Sequence, residues 1–434
     1  MEDEKKSAWE GLEGPTTQEV DHCIRCGLCL WVCPTFRHSL RETESPRARV
    51  ALVAKAIEGE LELTPNFKDH IYRCLACLAC DQVCPVGIRP GNLCLETRYA
   101  IHQATPTPLL ESILFRGIFP RTGLLEALTC LLAFYDRSGL RKAADMIGAN
   151  RLLPPQLQDL ERMLPHRLPW RGSRRQLPDV VAGKGQHRAR VAYFLGCLQG
   201  IMMPDGPRDT LEVLAENGCD ILIPAKVKCC GMPMLGYGFK DEARKMARHN
   251  VDLLLKLDVD AIVTDCATCG SALKEYPLWL AGDPQYAEQA GEFAAKVRDI
   301  SQFLAEIGIR PPKGKVEARV TYHDPCHLSR AQGIRQQPRA MLLAAGAELV
   351  EMEQADACCG AAGTQLITHY DTSIGILERK MDNLSATEAE IIATGCPGCQ
   401  MQLTVGIKRS GLSARVAHPS QLLAQAYRNG KEDR

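Results

Sequence analysis

The 434-residue sequence carries no net charge, because 52 basic residues are balanced by 52 acidic ones. A nucleic-acid-binding protein usually has a basic excess, so we expect no nucleic-acid partner. The sequence also lacks a membrane-spanning run, since its best apolar stretch, Leu124 to Tyr135, is short and contains Glu126 and Thr129. Residues Met1 to Ser7 are polar instead of forming an apolar signal segment. We therefore expect a cytoplasmic protein, whose contact with a membrane would be peripheral, on the cytoplasmic face, or made through a partner.

A dinucleotide-binding fingerprint is missing too. No G-x-G-x-x-G follows a predicted strand, so we expect no flavin or nicotinamide site on this chain. What the sequence has in excess is cysteine, with 21 residues. Disulfide scaffolds are typical of short secreted chains, whereas clustered cysteines in an intracellular chain indicate metal binding.

Two cysteine motifs of identical spacing lie within the first hundred residues. Each reads C-x2-C-x2-C-x3-C and is followed by Pro34 or Pro85. This run is typical of bacterial ferredoxins, in which three close thiolates bind one [4Fe–4S] cluster and the fourth cysteine binds the other cluster. The predicted iron ligands are Cys23, Cys26, Cys29 and Cys84 for cluster 1, and Cys74, Cys77, Cys80 and Cys33 for cluster 2.

A pair of zinc sites is the alternative, because C-x2-C pairs also bind zinc. Zinc needs four ligands and gives no reason for a third close cysteine followed by C-x3-C-P, so the spacing favours iron. The 40 residues between Cys33 and Cys74 include a helical stretch from Arg47 to Gly59. We predict a mainly helical ferredoxin domain, similar to those of succinate dehydrogenase iron–sulfur subunits.

The C-terminal half of the sequence is a duplication. Five cysteines recur at offsets of 129, 129, 129, 130 and 130 residues. A later match, Ser301 to Ala305 with Ser420 to Ala424, has an offset of 119. The first copy should therefore carry about eleven extra residues (130 minus 119), which we place in a loop around Leu278 to Glu292. The two sets are Cys197, Cys229, Cys230, Cys266 and Cys269 (the first five-cysteine site), and Cys326, Cys358, Cys359, Cys396 and Cys399 (the second five-cysteine site).

The same order of α/β elements is predicted in each copy. Strands at Arg190 to Leu195 and Ala318 to His323 run into the first cysteine. A helix and a short strand lead to the Cys-Cys-Gly turn. The predicted long helices and final strands follow, at Lys240 to Lys256 and Ala261 to Thr264, and at Thr372 to Leu384 and Ile391 to Thr394. Each final strand ends on Cys-x-x-Cys, so the cysteines should lie beyond the carboxyl ends of strands, where open α/β sheets form their ligand sites.

Each five-cysteine site offers one thiol more than the four that a cubane cluster binds. Adjacent cysteines such as Cys229 and Cys230 cannot easily chelate one iron, but they can span two irons of an opened cluster. Gly231 and Gly360 give the loop the backbone freedom for a close approach. We expect one or two further, non-cubane [4Fe–4S] clusters, held at all ten of these cysteines.

These residues resemble the CCG domain, which is found in the B subunit of heterodisulfide reductase. Two ferredoxin motifs followed by two CCG domains resemble the iron–sulfur subunit of bacterial glycolate oxidase and the related D-lactate dehydrogenases. The resemblance covers nearly the whole chain. Its supporting stretches are Ser45 to Arg49, Cys358 to Thr364 and Lys380 to Asn383. Members of the glycolate type often lose part of the Cys-x-x-Cys pairs, whereas this chain keeps both.

The resemblance implies an electron-transfer subunit of an oxidoreductase complex. Its partner would be a flavoprotein (FAD) dehydrogenase subunit acting on a 2-hydroxy acid, glycolate or D-lactate. Iron–sulfur clusters move single electrons and do not remove hydride, so the chain should not oxidise the acid alone. The eventual acceptor would be a quinone or another membrane electron acceptor, reached directly or through a partner. Two alternatives stay open: a heterodisulfide-reductase-like enzyme, and a structural CCG site that holds zinc or nothing.

The fold class that follows is α+β multidomain. We expect a ferredoxin domain over 1–100, a helical segment and Pro/Arg-rich linker over 101–190, and α/β CCG domains over 191–310 and 311–434. Cys94, Cys130 and Cys219 are interpreted as core residues. His323 and His327 flank Cys326 and are interpreted as packing or supporting residues. The basic run is interpreted as a solvated face, at Arg171, Arg174, Arg175, Arg188 and Arg190.

Overall fold

A computed structural model describes residues 6–148, 152–164, 173–203, 205–363 and 365–432. Arg171 and Thr364, which figured in the predictions, lie outside the described residues. Within these ranges, no helix is both long enough and apolar enough to cross a membrane.

The N-terminal part is built from short helices around two cysteine-bearing loops. Helix α2 begins where Ser45 Oγ accepts a hydrogen bond from the amide of Ala48 at 3.1 Å, and Pro46 takes the first helical position. Helix α2 was predicted within two residues at each end. The helices of this part are α1 (Pro34–Ser39), α2 (Pro46–Ile57), α3 (Pro65–Tyr72), α4 (Ala79–Val83) and α5 (Pro90–Ala104).

A helical segment connects this part to the first sheet. It runs through α6 (Leu109–Ser112), a π-helical turn (Ile113–Ile118), α7 (Thr122–Arg137), α8 (Leu140–Met146) and α9 (Pro155–Met163). The predicted linker also contains a strand, β1 (Val180–Val181), which pairs antiparallel with the edge of the first sheet.

The first α/β copy forms a five-stranded sheet of order β1-β3-β2-β4-β5, parallel except for β1. Its strands are β2 (Ala189–Tyr193), β3 (Cys219–Leu222), β4 (Ala261–Thr264) and β5 (Val297–Asp299). Its helices are α10 (Cys197–Met202), α11 (Gly206–Glu216), α12 (Met232–Gly236), α13 (Lys240–Leu254), α14 (Ala267–Trp279), α15 (Ala287–Lys296) and α16 (Ile300–Ile307).

The second copy repeats this arrangement in a four-stranded parallel sheet of order β7-β6-β8-β9. Its strands are β6 (Arg319–Tyr322), β7 (Glu348–Leu349), β8 (Ile391–Ala393) and β9 (Arg415–Ala417). Its helices are α17 (Cys326–Ser329), α18 (Gln336–Ala344), α19 (Gln365–Thr368), α20 (Tyr370–Ser385), α21 (Pro397–Ser410) and α22 (Pro419–Glu432).

The duplication is confirmed by the matching strand orders, and the extra residues of the first copy fall where they were predicted. Between α14 and β5 the first copy inserts α15, whereas in the second copy α21 leads into β9 through a short turn. The insertion is thus mostly helical and not a loop. Apolar residues such as Ala290 and Phe293 are buried on α15, which packs against α14.

The two copies pack on each other through helices from both. Helix α11 packs against α22, and α18 packs against α16. Because α11 corresponds to α18 and α16 corresponds to α22, these contacts are reciprocal, as expected for an approximate two-fold relation. One apolar core contains residues of both sheets and all four helices, among them Leu214, Leu304, Leu342 and Leu423. The copies therefore form one structural unit, which fixes the cysteine sites relative to each other.

Candidate metal centres

The two ferredoxin motifs fold into loops of the same shape. Arg25 and Ala76, each two residues after the first cysteine of its motif, have φ of 54° and 46°. Gly27 and Leu78, each one residue after the second cysteine, have φ of 83° and 61°. Left-handed backbone is costly for residues other than glycine, and turns of this kind aim successive N–H groups at an anion. The two loops thus share a conformation suited to wrapping a negatively charged group.

The loops bring together the two crossed sets of cysteines. One cavity is lined by Cys23, Cys26, Cys29 and Cys84 (the first ferredoxin set). Another is lined by Cys33, Cys74, Cys77 and Cys80 (the second ferredoxin set). Pro90 lines both cavities, so the two are neighbours.

The first ferredoxin set lies at the protein surface. Cys26 is exposed, and apolar side chains beside its loop are exposed as well. We call them the exposed apolar face: Ile24, Leu28, Trp31 and Val86, with exposed fractions of 64%, 57%, 70% and 39%. Large apolar side chains exposed together often mark a contact surface.

The second ferredoxin set is enclosed and surrounded by buried arginines. Arg49 is 1% exposed and pairs with Glu44 at 3.1 Å. Arg98 donates to the carbonyl of Ile71 at 3.0 Å, and Arg330 donates to the carbonyl of Cys77 at 3.2 Å. Three guanidinium groups beside one set of thiols favour negative charge there. No sequence pattern pointed to Arg98 or Arg330, and Arg49 was noted only as part of the Ser45 to Arg49 stretch.

The first five-cysteine site is largely buried. The thiols of Cys197 and Cys229 are 3.5 Å apart, and the amide of Cys269 donates to Cys266 Sγ at 3.4 Å. All of its cysteines except Cys197 are buried. The predicted glycine is required, because Gly231 has a φ of 94° and a Cβ there would lie 3.3 Å from the Cα of Ala243.

The second five-cysteine site is open on one side. Its Cys359 and Cys399 thiols are 3.4 Å apart, and the amide of Gly360 donates to Cys358 Sγ at 3.4 Å. All five of its cysteines line a groove between the ferredoxin part, α5 to α7 and the two sheets, and Cys197 is the only cysteine of the first site that does so. The groove walls are largely apolar and aromatic, with Tyr72, Phe115, Met202, Met232 and Tyr237 among them.

The two five-cysteine sites meet at equivalent residues. The thiol of Cys266 lies against that of Cys396, its counterpart at the offset of 130. The amide of Ala267 donates to the carbonyl of Gly395 at 2.9 Å, and Thr268 Oγ1 is 3.4 Å from Cys396 Sγ. The approximate two-fold relation therefore places the two Cys-x-x-Cys turns side by side.

The second five-cysteine site also touches the ferredoxin part. The thiol of Cys77 lies against that of Cys358, and both pack in one small apolar cluster with Cys326 and Ile376. An unbroken series of neighbouring thiols thus extends from the second ferredoxin set, through the second five-cysteine site, to the first five-cysteine site.

The remaining predicted residues lie in different settings. Cys94 and Cys219 are buried and Cys130 is half-buried. Cys94 does more than fill the core, since its hydrogen bond to Cys74 lowers the pKa of that thiol to about 5. His327 faces the groove, with Nδ1 3.3 Å from Thr268 Oγ1. Arg174 donates to the carbonyl of Leu195 at 3.1 Å, and the other described arginines of the basic run are Arg175, Arg188 and Arg190.

The donor sets fit iron–sulfur clusters. Two cavities are each bordered by four cysteines, and main-chain amides donate to sulfur, which stabilises thiolate ligands. Thiolate is the usual ligand of such clusters, whose chemistry is one-electron transfer.

Comparisons with known proteins agree with this geometry. A 4Fe-4S dicluster domain model matches residues 19–88, and a cysteine-rich domain model matches residues 191–274 and 320–404. The model for the linker region of the glycolate oxidase iron-sulfur subunit matches residues 106–164.

Several relatives align over most of the chain. A probable glycolate oxidase iron-sulfur subunit of Bacillus subtilis is 38% identical over 418 residues, 94% of each chain. The glycolate oxidase iron-sulfur subunit of Escherichia coli is 29% identical, over 93% of each chain. Lactate utilization protein A of Oceanobacillus iheyensis is 31% identical over 56% of this chain and 98% of its own length.

The predicted fold class, a helical ferredoxin domain followed by two α/β CCG domains, is confirmed by these matches and by the two sheets. The expectation of several [4Fe–4S] clusters is confirmed by the dicluster and cysteine-rich domain matches. The chain therefore belongs to the family of glycolate oxidase iron–sulfur subunits, and it is an iron–sulfur electron-transfer subunit of an oxidoreductase.

Proposed function

We propose that this chain relays electrons from the flavin subunit of a 2-hydroxy-acid dehydrogenase, acting on glycolate or D-lactate, toward a quinone-type acceptor. The observation that carries the proposal is the unbroken series of thiols from the ferredoxin part to both five-cysteine sites. A flavin can take two electrons from the acid, and iron–sulfur groups pass them on singly. The chain holds those groups in a fixed order.

Each cysteine set has a definite place in the relay. The first ferredoxin set binds cluster 1, the second ferredoxin set binds cluster 2, and each five-cysteine site binds one non-cubane cluster. The domain boundaries proposed for these groups are 1–100, 101–190, 191–310 and 311–434. Anaerobically purified protein should contain about eight irons from the ferredoxin domain and about sixteen in total. Four irons with stoichiometric zinc would contradict the ferredoxin assignment.

The flavoprotein docks at the exposed apolar face. Cluster 1 is the centre nearest the surface there, since Cys26 is exposed among Ile24, Leu28 and Trp31. The second ferredoxin set is enclosed, so a partner that reaches cluster 1 would feed the rest of the series. Replacing Trp31 with Glu should weaken partner binding while leaving the iron content unchanged.

The quinone-type acceptor takes electrons from the second five-cysteine site. The apolar and aromatic walls of the groove beside Cys358 and Cys359 suit a flat, apolar molecule. Access from a membrane would then require only peripheral attachment of the complex to the cytoplasmic face, or an intermediate partner.

Reconstitution with the flavoprotein tests the relay. The isolated chain should not oxidise glycolate or D-lactate, whereas the mixture should reduce a quinone analogue at the expense of the acid. Rapid-mixing absorbance separates flavin reduction from acceptor reduction. Oxidation of either acid by the isolated chain would refute the proposal.

Disulfide reduction is the second candidate function. It is favoured by one observation, that Cys197 of the first site and all five cysteines of the second site line the same groove. A disulfide lying in the groove could present its two halves to two centres. Turnover of a thiol disulfide by the reduced, isolated chain would support this function in place of the relay.

A further inference from the structure

The two copies place different side chains at one equivalent backbone position. Strand β6 ends at Tyr322, and the next residue, His323, donates its amide hydrogen to the carbonyl of Ala393 at 2.9 Å. In the first copy, Phe194 follows β2 and donates to the carbonyl of Val263 at 2.8 Å. The offsets, 129 for the donor and 130 for the acceptor, match those of the cysteines. An apolar ring thus satisfies the packing requirement at this position, and packing gives no reason for an imidazole.

The imidazole of His323 lies deep in the second five-cysteine site. The residue is 1% exposed, and neither ring nitrogen has a hydrogen-bond partner of normal geometry among the described residues. A ring nitrogen, Cys359 Sγ and Cys399 Sγ all lie within 4.8 Å of one another. Within the described part of the chain, no other group of three histidine, cysteine or acidic side chains brings its ligand atoms this close.

This spacing differs from that of a cubane site. In a cubane cluster each cysteine holds its own iron, so the four sulfurs stand apart around the cube. A nitrogen and two sulfurs within 4.8 Å of one another can instead contact a single metal ion. A buried polar group without a partner is rare in proteins and often indicates a missing ligand or ion.

Histidine has the donor atom for this role, since a neutral imidazole nitrogen is a common metal ligand in proteins.

We propose that His323 is a ligand of the metal centre in the second five-cysteine site, where it shares one iron with Cys359 and Cys399. This inference rests on the proposed binding of an iron–sulfur cluster at that site. It gives the second site a mixed nitrogen and sulfur ligand set, whereas the first site, with Phe194, has sulfur alone. Histidine in place of cysteine raises the reduction potential of [2Fe–2S] centres, so the two sites should differ in potential.

Pulsed electron paramagnetic resonance of the full chain tests the assignment. Protein labelled with 15N-histidine should show a strong nitrogen coupling in the cluster signal that is lost in the Cys399→Ala variant. The coupling should be absent from His323→Phe, which copies the first site. It should persist in His327→Phe, the matched control, because His327 also flanks Cys326 but faces Thr268.

A second variant covers the case in which His323→Phe does not fold. His323→Cys offers a sulfur donor at the same position and should keep full iron content while losing the nitrogen coupling. A nitrogen coupling that persists in either His323 variant would overturn the ligand role. A wild-type coupling that is only as weak as the coupling produced by a hydrogen bond to sulfur would overturn it as well. If no cluster signal depends on Cys399, and about four irons are missing, the proposed function of the site fails as well. Full iron content without the coupling overturns only the role of His323.

Discussion

The two five-cysteine sites share a scaffold and differ in what surrounds the thiols. Both lie beyond the carboxyl ends of equivalent strands, and both use a left-handed glycine, with a φ of 94° at Gly231 and 87° at Gly360. Where the first site has Phe194, the second has His323. The second site also opens onto the groove through all five cysteines and touches the second ferredoxin set, whereas the first site reaches the groove through Cys197 alone and adjoins the second site through Cys266. Duplication thus preserved the ligands while the residues around them diverged.

The two five-cysteine sites also differ in the charge of a buried side chain beside them. Lys380 in α20 is 1% exposed and donates to the carbonyls of Gln354 and Ala355, both at 2.9 Å. In α13 of the first copy, Asn250 lies at the offset of 130 and donates to the carbonyl of Cys229 at 3.2 Å. Each side chain steadies the loop before its Cys-Cys-Gly turn, but only the second copy places an ammonium group there. A positive charge favours the reduced state, so the second site should be the better electron acceptor of the two.

The strongest expected effect concerns the supply of electrons to both sites. Cys29→Ser and Cys84→Ser should damage the same ferredoxin cluster, because both cysteines line one cavity. Each variant should lose about four irons and one ferredoxin resonance signal while keeping the other signal. Acceptor reduction should fail in both variants if electrons enter at cluster 1. Loss of different signals in the two variants would contradict the crossed pairing.

A pair of equivalent alanine variants compares the five-cysteine sites directly. Cys359→Ala should slow acceptor reduction roughly a hundredfold, equal to about 2.7 kcal/mol in the barrier, because the second site touches the second ferredoxin set. Cys230→Ala, the matched change in the first site, should slow it much less. Flavin reduction by the acid and binding of the partner should be normal in both variants. Equal losses would show that both sites lie on the route, and a larger loss in Cys230→Ala would reverse the order proposed for them.

Substitution of the buried lysine tests the difference in potential. Lys380→Met should lower the reduction potential of the second site by about 50–100 mV. This estimate follows because a buried unit charge several ångströms away acts with about 2 kcal/mol at an effective dielectric constant near 20, and about 1.4 kcal/mol corresponds to about 59 mV for one electron.

Asn250→Met provides the control for this measurement. It removes the polar group at the corresponding position without changing the charge, so neither site should shift in potential by a comparable amount. A redox titration followed by electron paramagnetic resonance gives both potentials. An unchanged second-site potential in Lys380→Met would mean that the ammonium does not act on the cluster.

Much of this architecture could be predicted from local patterns. Cysteine spacing gave the crossed ferredoxin sets that line the two cavities, and repeated offsets gave the two α/β copies and the inserted residues. Strand β4 was predicted at its observed bounds, and β2 and β8 were predicted to within two residues. These features depend on residues close in sequence, or on periodicity, and they can be recognised without knowledge of tertiary contacts.

The contacts between parts could not be predicted in this way. Cys77 and Cys358 are 281 positions apart (358 minus 77), and tertiary contacts such as the packing of α1 against α20 bring that region together. His323 was interpreted as a packing or supporting residue, since sequence alone does not reveal that its ring nitrogens lack partners. Sequence alone also did not indicate that Cys94 would donate to Cys74. Such properties belong to the buried environment and not to the motif.

The two copies also differ in how they are joined to the N-terminal part. The second copy is joined through separate contacts of mixed kind, such as Gln365 Nε2 to the carbonyl of Tyr72 at 2.7 Å and His369 Nε2 to Asp69 at 3.2 Å. The first copy holds the start of the chain through a charged cluster, since Glu13 accepts from Lys240 at 2.8 Å and from Arg244 at 2.7 Å. Charged contacts near the surface are weakened by salt. Salt should therefore loosen the segment around Glu13 from the first copy.

Glu13→Gln should produce the smallest effect, a loss of about 0.5–1 kcal/mol in the stability of that attachment, because a partly exposed ion pair is screened by solvent. The hydrogen bond from Arg244 is the main cause that lowers the pKa of Glu13 from 4.5 to about 2; burial opposes it, and Lys240 adds to the lowering. A lowered carboxyl pKa means that the contribution is complete above about pH 4.5 and is lost as the pH falls toward 2. The difference in attachment stability between the wild type and Glu13→Gln should therefore be constant from pH 6 to 8 and should decrease as the pH falls below 4.5. Hydrogen exchange of residues 8–20 measures this difference. Glu10→Gln is the control, since the contact of Glu10 with Lys6 is exposed and joins residues four positions apart. A difference that changes between pH 6 and 8 would mean that another group controls the attachment of the first copy.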